Sequence, residues 1–170
     1  METILEAKQY LGHHWKKGVK CPCCNQLVKL YKRKLDSAMA FGLVEMYRIH
    51  REKGNRDWLH IPTEFTKRQL NNSNAQISKL KYWGLIYEKP NNENSAKRTS
   101  GYWRISGYGI QFIFKKILVP KYVYIFNQEK YGQSDDTMVN ISTCLGKKFN
   151  YMELMGEYIT GDPAQTGLPL

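Results

Sequence analysis

The 170 residues include 26 Lys and Arg against 15 Asp and Glu, a formal net charge of +11, with 42% hydrophobic and 13% aromatic residues. This composition excludes a disordered chain and suffices for one folded domain with appendages. No stretch approaches the roughly 18 apolar residues that span a bilayer, and the amino-terminal residues lack the apolar core of a signal peptide. We therefore expect a cytoplasmic protein with no membrane partner.

The positive charge is concentrated in two blocks of the sequence. Residues 1–34 hold eight Lys and Arg against two acids, and residues 67–104 again hold eight against two, so that each block carries +6. Residues 122–170 hold three against six, which gives −3. Such a distribution is typical of a surface that binds phosphates, and we favour this interpretation over a role in solubility alone.

The amino-terminal arm, residues 1–35, contains three of the four cysteines in the run CPCC. A short amphipathic helix over residues 3–11 is predicted to end at a glycine, and two strand-like runs enclose the cysteine cluster. Cys21 and Cys24 have the spacing with which two thiolates bind one Zn²⁺, and Asn25 tolerates the positive φ that such a turn commonly needs. Because cytoplasmic thiols stay reduced, zinc is a better prediction than a disulfide.

This half-site resembles the knuckle of a zinc ribbon, although the chain has no second C-x-x-C pair. We place His14 with Cys21 and Cys24 as the predicted metal ligands. The other candidates for the missing ligands are His13, Cys23, His50, His60 and Cys144. A metal-free turn with reduced thiols is equally compatible with the sequence, since two ligands make half of a tetrahedral site.

The basic segment 31–35 is predicted to be a hinge that leads into the first long helix. Asp36 or Ser37 caps this helix, and Gly54 ends it. Its apolar residues recur on one stripe and should fill the core: Met39, Leu43 and Met46. We expect His50, at the end of the same stripe, to lie at the edge of the core and not to bind metal.

Two helical patterns follow a short strand at residues 58–61. The first is expected to have Thr63 as its cap, and the second runs over residues 74–83 and ends at a glycine. At 100° per residue, the second helix buries Ile77 and Leu80 and exposes the opposite face: Ala75, Ser78, Lys79 and Tyr82. A small or polar face with one lysine suits insertion into a DNA groove.

A predicted hairpin then joins residues 85–88 to residues 102–105 through a long polar loop, with Lys97 and Arg98 near the end of the loop. The pattern Ile77-x-x-Leu80-x-x-x-Gly84-Leu85-Ile86 with this basic hairpin resembles the recognition helix and wing of winged helix-turn-helix proteins, including MarR-type regulators. The resemblance covers residues 36–106. It implies an α+β fold, with helix 74–83 in the major groove and the wing against phosphates or the minor groove.

The chain departs from the MarR pattern at both ends. A cysteine-containing arm precedes the winged unit, and no long helical pair for dimerisation follows it, so MarR-type dimer chemistry and drug sensing are not expected. The oligomeric state stays open, a homodimer included. The compact, asparagine-rich chain with its extra arm also resembles bacteriophage-encoded proteins in style.

The remaining residues are predicted to add a small carboxy-terminal extension. Residues 107–116 are helical or turning, and residues 117–127 form a strand or hairpin edge, where a proline excludes a central position. A polar linker over residues 128–137 leads to a mildly acidic unit over residues 139–158. Its apolar set is Ile141, Leu145, Phe149, Met152 and Met155. We expect a disordered tail after this unit.

The first functional hypothesis is a double-stranded DNA-binding protein, such as a transcriptional regulator or a phage DNA-associated factor. Bases would be contacted from the exposed face of helix 74–83, that is by Asn74, Ala75, Ser78 and Lys79, with Tyr82 beside them. Phosphates would be bound by the wing and the arm through Lys79, Lys97, Arg98, Lys16, Lys17, Lys20, Lys32, Arg33 and Lys34.

The alternative is an interaction protein that docks on host transcription or defence machinery. Three tyrosines expected at the surface would suit such a contact: Tyr82, Tyr87 and Tyr102. An enzyme is not expected, because the sequence has no phosphate-binding glycine loop, no HExxH and no GxSxG motif.

Overall fold

The computed structural model describes residues 3–70, 76–91 and 100–159, and these residues form a mixed α+β fold with small antiparallel sheets. The helices are α1 (Ile4–His14), α2 (Ser37–Lys53), α3 (Ile61–Lys67), a 3₁₀ helix (Ser78–Trp83), α4 (Gly107–Ile113), α5 (Ile141–Leu145), α6 (Tyr151–Met155) and a second 3₁₀ helix (Gly156–Tyr158). The strands are β1 (Val19–Lys20), β2 (Leu27–Val28), β3 (Tyr31–Lys34), β4 (Leu59–His60), β5 (Ile86–Glu88), β6 (Tyr102–Ile105), β7 (Val119–Pro120), β8 (Tyr122–Phe126), β9 (Glu129–Gln133) and β10 (Met138–Val139).

Helix α2 is the centre of the hydrophobic core. The Asp36 carboxylate accepts a hydrogen bond from the Met39 amide at 2.9 Å, and Gly54 ends the helix with a left-handed φ of 72°. The predicted caps are therefore confirmed. The predicted stripe is buried as well, and α2 packs against α4, α5, β6 and the first 3₁₀ helix. Burial of several large apolar side chains at about 1.5–3 kcal/mol each makes α2 the main source of stability.

His50 is fully buried, which corrects the prediction that it lies at the edge of the core. One ring nitrogen, Nδ1, is 3.0 Å from the Asn55 carbonyl oxygen, and the other, Nε2, is 3.3 Å from the Ile105 amide nitrogen. A neutral ring that donates at Nδ1 and accepts at Nε2 satisfies both partners. Burial lowers the pKa of His50 to about 4, so the ring is neutral at pH 7 and links the end of α2 to β6.

One three-stranded sheet follows α2, with strand order β4-β6-β5. Leu59 pairs with Trp103, and Ile86 pairs with Ile105, and all four side chains are buried against the core. Helix α4 then crosses close to this sheet at Gly109. A Cβ atom there would lie 2.2 Å from the Leu85 carbonyl oxygen, so only glycine permits the approach.

The second three-stranded sheet, with order β3-β8-β9, joins the two ends of the sequence. Its first strand, β3, occupies the segment predicted to be a hinge, and its third strand, β9, occupies much of the segment predicted to be a polar linker. Both predictions were wrong because polar residues form the exposed edges of this sheet, where no apolar pattern is needed. The pairing of Tyr31 with Ile125 fixes the end of the arm to a distant part of the chain.

Several smaller expectations change as well. Helix α1 continues past Gly12 to His14, and α3 begins at Ile61, so Thr63 is inside the first turn and is not its cap. Met152 is 62% exposed and does not join the buried set of the carboxy-terminal helices. Within the described residues, no helix is long and apolar enough to cross a membrane. The tail 160–170 lies outside the described residues, as does the prediction of its disorder.

Candidate nucleic-acid interface

The two basic blocks of the sequence interact electrostatically through Arg33 on β3 and Lys79 on the first 3₁₀ helix. Burial and then the positive charges of Arg33 and Lys81 lower the pKa of Lys79. Charges at a protein surface act over about 10 Å, so the arm and the helix place these like charges within that range of each other. An anion bound between them would relieve this repulsion.

Lys81, the third cation of this cluster, already has a partner. Its ammonium lies 3.3 Å from the Glu88 carboxylate and 5.8 Å from the centre of the Trp103 ring. In contrast, the ion pairs among the described residues include neither Arg33 nor Lys79. The positive charge of these two side chains therefore remains for an external anion.

Tyr82 is buried, with 8% of its surface exposed, which corrects its assignment to the DNA-facing surface. Its hydroxyl donates a hydrogen bond to the Gln128 carbonyl at 2.9 Å. The prediction assumed an α-helix, whereas residues 78–83 form a 3₁₀ helix. A step of two residues turns about 240° in a 3₁₀ helix and about 200° in an α-helix, which brings Tyr82 about 40° closer to the buried face of Leu80.

The other residues predicted to contact DNA divide into two groups. Ser78 is half-buried near the start of the same 3₁₀ helix. Four further residues lie outside the described part of the chain: Asn74, Ala75, Lys97 and Arg98. The predictions for these four therefore stay predictions.

The cations of the arm do not form one surface. Lys16, Lys17 and Lys20 are exposed between α1 and β1 or on β1 itself. On β3, side chains alternate between the two faces of the sheet, so Lys32 and Lys34 point away from Arg33. The Lys32 ammonium lies 4.1 Å from the centre of the Tyr122 ring.

Lys34 lines a cavity of about 350 Å³ together with three lysines that are not among the predicted DNA contacts: Lys121, Lys147 and Lys148. Asp36 is the acidic residue among the described lining residues. The net acidic charge of residues 122–170 concealed this local concentration of lysines. The cavity also contains Cys144, and burial raises the pKa of its thiol to about 12. A thiol held in this neutral form is a poor metal ligand.

The cysteine cluster lies in a tight turn between two paired strands, as the sequence predicts. Strands β1 and β2 pair on either side of it, the Cys21 amide donates to the Gln26 carbonyl at 2.8 Å, and Asn25 has a φ of 60°. Hydrogen bonds from the backbone of Cys23 and Cys24 lower the pKa of Cys21. Amides directed at a sulfur favour the thiolate that zinc binds, so Cys21 and Cys24 fit two of the four ligand positions.

His14, the predicted third ligand, is the last residue of α1 and hydrogen-bonds through Nδ1 to the Tyr10 carbonyl at 2.8 Å. Within the described residues, no three His, Cys, Asp or Glu side chains are grouped closely enough to hold a metal ion. His50 is buried at the end of α2, and His60 contacts Thr63 on α3. The ligands needed to complete a zinc site are therefore not assembled around the knuckle, and bound zinc stays a prediction.

The chain was compared with family models, with curated proteins and with solved structures. None of the three comparisons found a match. A function for this protein must therefore be argued from its own side chains, their charges and their positions.

Proposed function

We propose that this protein binds double-stranded DNA through a winged helix-turn-helix unit, residues 36–106, supplemented by basic residues of the amino-terminal arm. The helix that ends at Trp83 would enter the major groove. Lys79 and Arg33 would bind phosphates at its edge, and the loop between β5 and β6 would act as the wing. The function class would be that of a transcriptional regulator or a phage DNA-associated factor.

The order of elements supports this proposal. Helix α2 is followed by β4, α3, the first 3₁₀ helix and the β5–β6 pair, and β6 lies between β4 and β5 in the sheet. Two successive helices followed by a hairpin on the same core are the parts that a winged helix-turn-helix unit needs. The departure is the 3₁₀ geometry of residues 78–83, which shortens the regular α-helical surface available to a groove.

One observation carries the DNA proposal: Arg33 and Lys79 come from separate basic blocks, and the two positive charges lie within electrostatic range of each other. A salt-bridged or scattered set of cations would serve solubility equally well. Two cations that have no carboxylate partner among the described residues and that lie within electrostatic range of each other are better suited to a phosphate backbone.

The salt dependence of duplex binding tests the proposal. Each phosphate contact contributes about −0.9 to the slope of log K against log salt concentration. For the variant Arg33→Gln with Lys79→Gln we expect the slope on a random duplex pool to become shallower by about 2. The control, Lys8→Gln with Lys115→Gln, removes the same charge from other exposed positions and should keep the wild-type slope. An unchanged slope in the Arg33 and Lys79 variant would refute the proposed surface.

The same titration separates DNA binding from the alternative, an interaction protein that docks on a host protein. If a duplex binds no better than an acidic polymer, the DNA proposal fails and the docking alternative is favoured. Of the three tyrosines that suggested docking, Tyr87 and Tyr102 are exposed and stay available for a protein contact, whereas Tyr82 is buried.

A further inference from the structure

The sheet of β4, β6 and β5 has two chemically different faces. Its inner face is buried against the core. The other face is defined by the residues that alternate with the buried ones. His60 pairs there with Tyr102, and Tyr87 pairs with Arg104. We call it the outer sheet face, and with the two residues that adjoin the strands it consists of Trp58, His60, Tyr87, Lys89, Tyr102 and Arg104.

Aromatic and basic side chains contact one another across this face. The His60 and Tyr102 rings are 4.9 Å apart at their centroids, and the Lys89 ammonium is 5.3 Å from the Tyr102 ring. The Arg104 guanidinium lies 4.4 Å from the Trp58 ring and 5.8 Å from the Tyr87 ring. These contacts keep the rings and the cations on one surface.

The outer sheet face carries no carboxylate on its strands. Glu88, the acid of β5, alternates to the other side and pairs with Lys81. Three aromatic residues, two cations and a histidine are therefore left without a neutralising acid among them. A negatively charged partner with flat rings is complementary to this combination.

Two tyrosines of this face are well placed to receive rings. Tyr87 is 52% exposed and Tyr102 is 39% exposed, so the core does not account for their positions. Tyr87 pairs with Arg104 across the strands, which makes Tyr102 its diagonal neighbour at roughly 7–8 Å. That separation leaves room for one base on each ring.

An arginine-lined pocket adjoins the outer sheet face. A cavity of about 340 Å³ lies between the Gly54–Asp57 segment and the pair Tyr87 and Arg104, and Arg56 lines it as well. The Arg56 Nε atom is buried and has no hydrogen-bond partner among the described residues. Asp57 also lines the pocket, but no ion pair joins it to either arginine. Two planar guanidinium groups are well suited to hold a phosphate by paired hydrogen bonds.

His50 fixes the floor of this pocket. Its ring bridges Asn55 and Ile105, and both of these residues line the cavity. Because this link is buried and made by a rigid ring, the loop that carries Arg56 keeps a defined position relative to Arg104 on β6. The phosphate site is thereby preformed, which lowers the entropic cost of binding.

We propose that the outer sheet face and the pocket of Arg56 and Arg104 bind single-stranded nucleic acid. Unpaired bases stack on Tyr87 and Tyr102, and a backbone phosphate enters the pocket. A duplex does not fit this surface, because its bases are stacked on one another and cannot reach the rings. This site goes beyond the duplex surface of Arg33 and Lys79 and does not depend on it.

Ring removal is the first test. Binding of short oligothymidine and oligouridine strands is measured by fluorescence anisotropy for Tyr87→Ala and Tyr102→Ala. Loss of a stacking ring is expected to weaken binding at least about fivefold, whereas Tyr87→Phe and Tyr102→Phe should bind like the wild type. The matched control is Tyr108→Ala, which removes another tyrosine, 44% exposed, from helix α4. Equal affinities for all the alanine variants would overturn the proposal.

The pocket is tested through its charge. Because the two arginines hold one phosphate, Arg56→Gln combined with Arg104→Gln should make the salt slope for a single strand shallower by about 0.7, and each single substitution should make it shallower by less. Arg104→Lys keeps the charge and should retain the slope while lowering affinity, since it loses the planar fork. Far-ultraviolet circular dichroism checks that each variant is folded. The proposal fails if single strands lose affinity with Arg33→Gln and Lys79→Gln and not with these variants, because they would then occupy the duplex surface.

Single-stranded DNA, single-stranded RNA and duplex DNA are compared as ligands, and each has its own expected result. Equal binding of oligothymidine and oligouridine is expected if stacking and phosphate contacts dominate, because neither needs a 2′-hydroxyl. Duplex binding should be unchanged by Tyr87→Ala and Tyr102→Ala. If duplex and single-strand binding both fall in these variants, one shared surface binds both, and the assignment of a separate single-strand site is overturned while duplex binding itself is not.

Discussion

Helices α1 and α2 begin with equally good local signals, yet they relate to the rest of the protein in opposite ways. Thr3 caps α1 through a full capping box with Glu6, and Asp36 caps α2. Ten residues of α2 are buried, against Ala7 alone in α1. Capping and propensity determine where a helix forms, whereas an apolar stripe determines whether the helix packs against the hydrophobic core.

Little of the amino-terminal arm is buried. Ile4 is 71% exposed and Leu5 is 66% exposed, so the arm contributes little buried area to folding. Its attachments include the β3–β8 pairing and the Trp15 ring, which contacts Phe126 and Tyr131. The arm, rich in lysine and with a cysteine cluster, therefore adds more exposed charge than buried area to the protein.

The largest expected difference between the arm and the core is in the reactivity of their cysteine thiols. Neighbouring amides lower the pKa of Cys21, and burial raises that of Cys144 from 9.0 to about 12. Three units correspond to about a thousandfold less thiolate at pH 7, and the thiolate is the reactive form. With a zinc chelator present, alkylation by iodoacetamide, followed by peptide mass spectrometry, should modify Cys21 at least about thirtyfold faster than Cys144, since the stronger nucleophilicity of a high-pKa thiolate offsets part of the difference in thiolate fraction. Similar rates in the folded protein would show that α5 is not packed on the core.

The alkylation assay also tests the zinc prediction. If zinc is bound at the knuckle, a chelator should accelerate modification of Cys21 and Cys24 and leave Cys144 unchanged, because coordination protects the thiolates. Denatured protein serves as the control, since all four cysteines should then react at similar rates. No effect of the chelator, with no zinc by elemental analysis, would establish the metal-free turn.

His50 should make the stability of the core depend on pH. Its pKa is lowered from 6.5 to about 4 in the folded protein, so below pH 6.5 the unfolded chain takes up a proton that the folded chain does not. The stability contribution is fully present above pH 6.5 and is lost as the pH falls toward 4. Between pH 6.5 and 5 the loss should be about 2 kcal/mol in urea unfolding.

Substitution of His50 identifies the source of this dependence. His50→Gln should remove the loss between pH 6.5 and 5 while lowering stability at pH 7, because the Ile105 amide and the Asn55 carbonyl lose well-placed partners. His13→Gln replaces an exposed histidine of the arm and should keep the wild-type dependence. A wild-type free energy of unfolding that is constant from pH 7 to pH 5 would contradict a neutral, buried His50.

The contrast between the buried helix α2 and the exposed arm also explains how far the sequence predicted the structure. Helix α2, its caps and its stripe were predictable because burial on one face leaves a periodic pattern. The β5–β6 pair and the left-handed Asn25 were predictable from equally local signals. Strand β9 was not, because an exposed edge strand of sequence EKYGQ has no apolar alternation.

The candidate sites were harder to predict because they depend on distant pairings. Arg33 lies on β3, which pairs with β8, a strand some ninety residues later, so no local pattern could relate its charge to that of Lys79. Tyr82 is buried and not on the predicted DNA-facing surface, and its hydroxyl donates a hydrogen bond to the Gln128 carbonyl. Gln128 begins the segment that was predicted to be a polar linker, so this contact could not be predicted. The outer sheet face is also a product of register, because a shift of one residue would bury Tyr87 and Tyr102.

The smallest expected effect concerns the contact that joins the arm to the core. Trp15→Ala removes ring contacts at 4.6 Å with Phe126 and 5.1 Å with Tyr131, and should lower the free energy of unfolding by about 1 kcal/mol. Limited proteolysis should become faster between residues 16 and 30 but not within β3, whose hydrogen bonds to β8 remain. Trp15→Phe keeps a ring and should restore protection, and unchanged proteolysis in Trp15→Ala would mean that another contact holds the arm. Because β3 stays paired with β8 in this variant, the part of the duplex salt slope assigned to Arg33 and Lys79 should persist even when the rest of the arm is released.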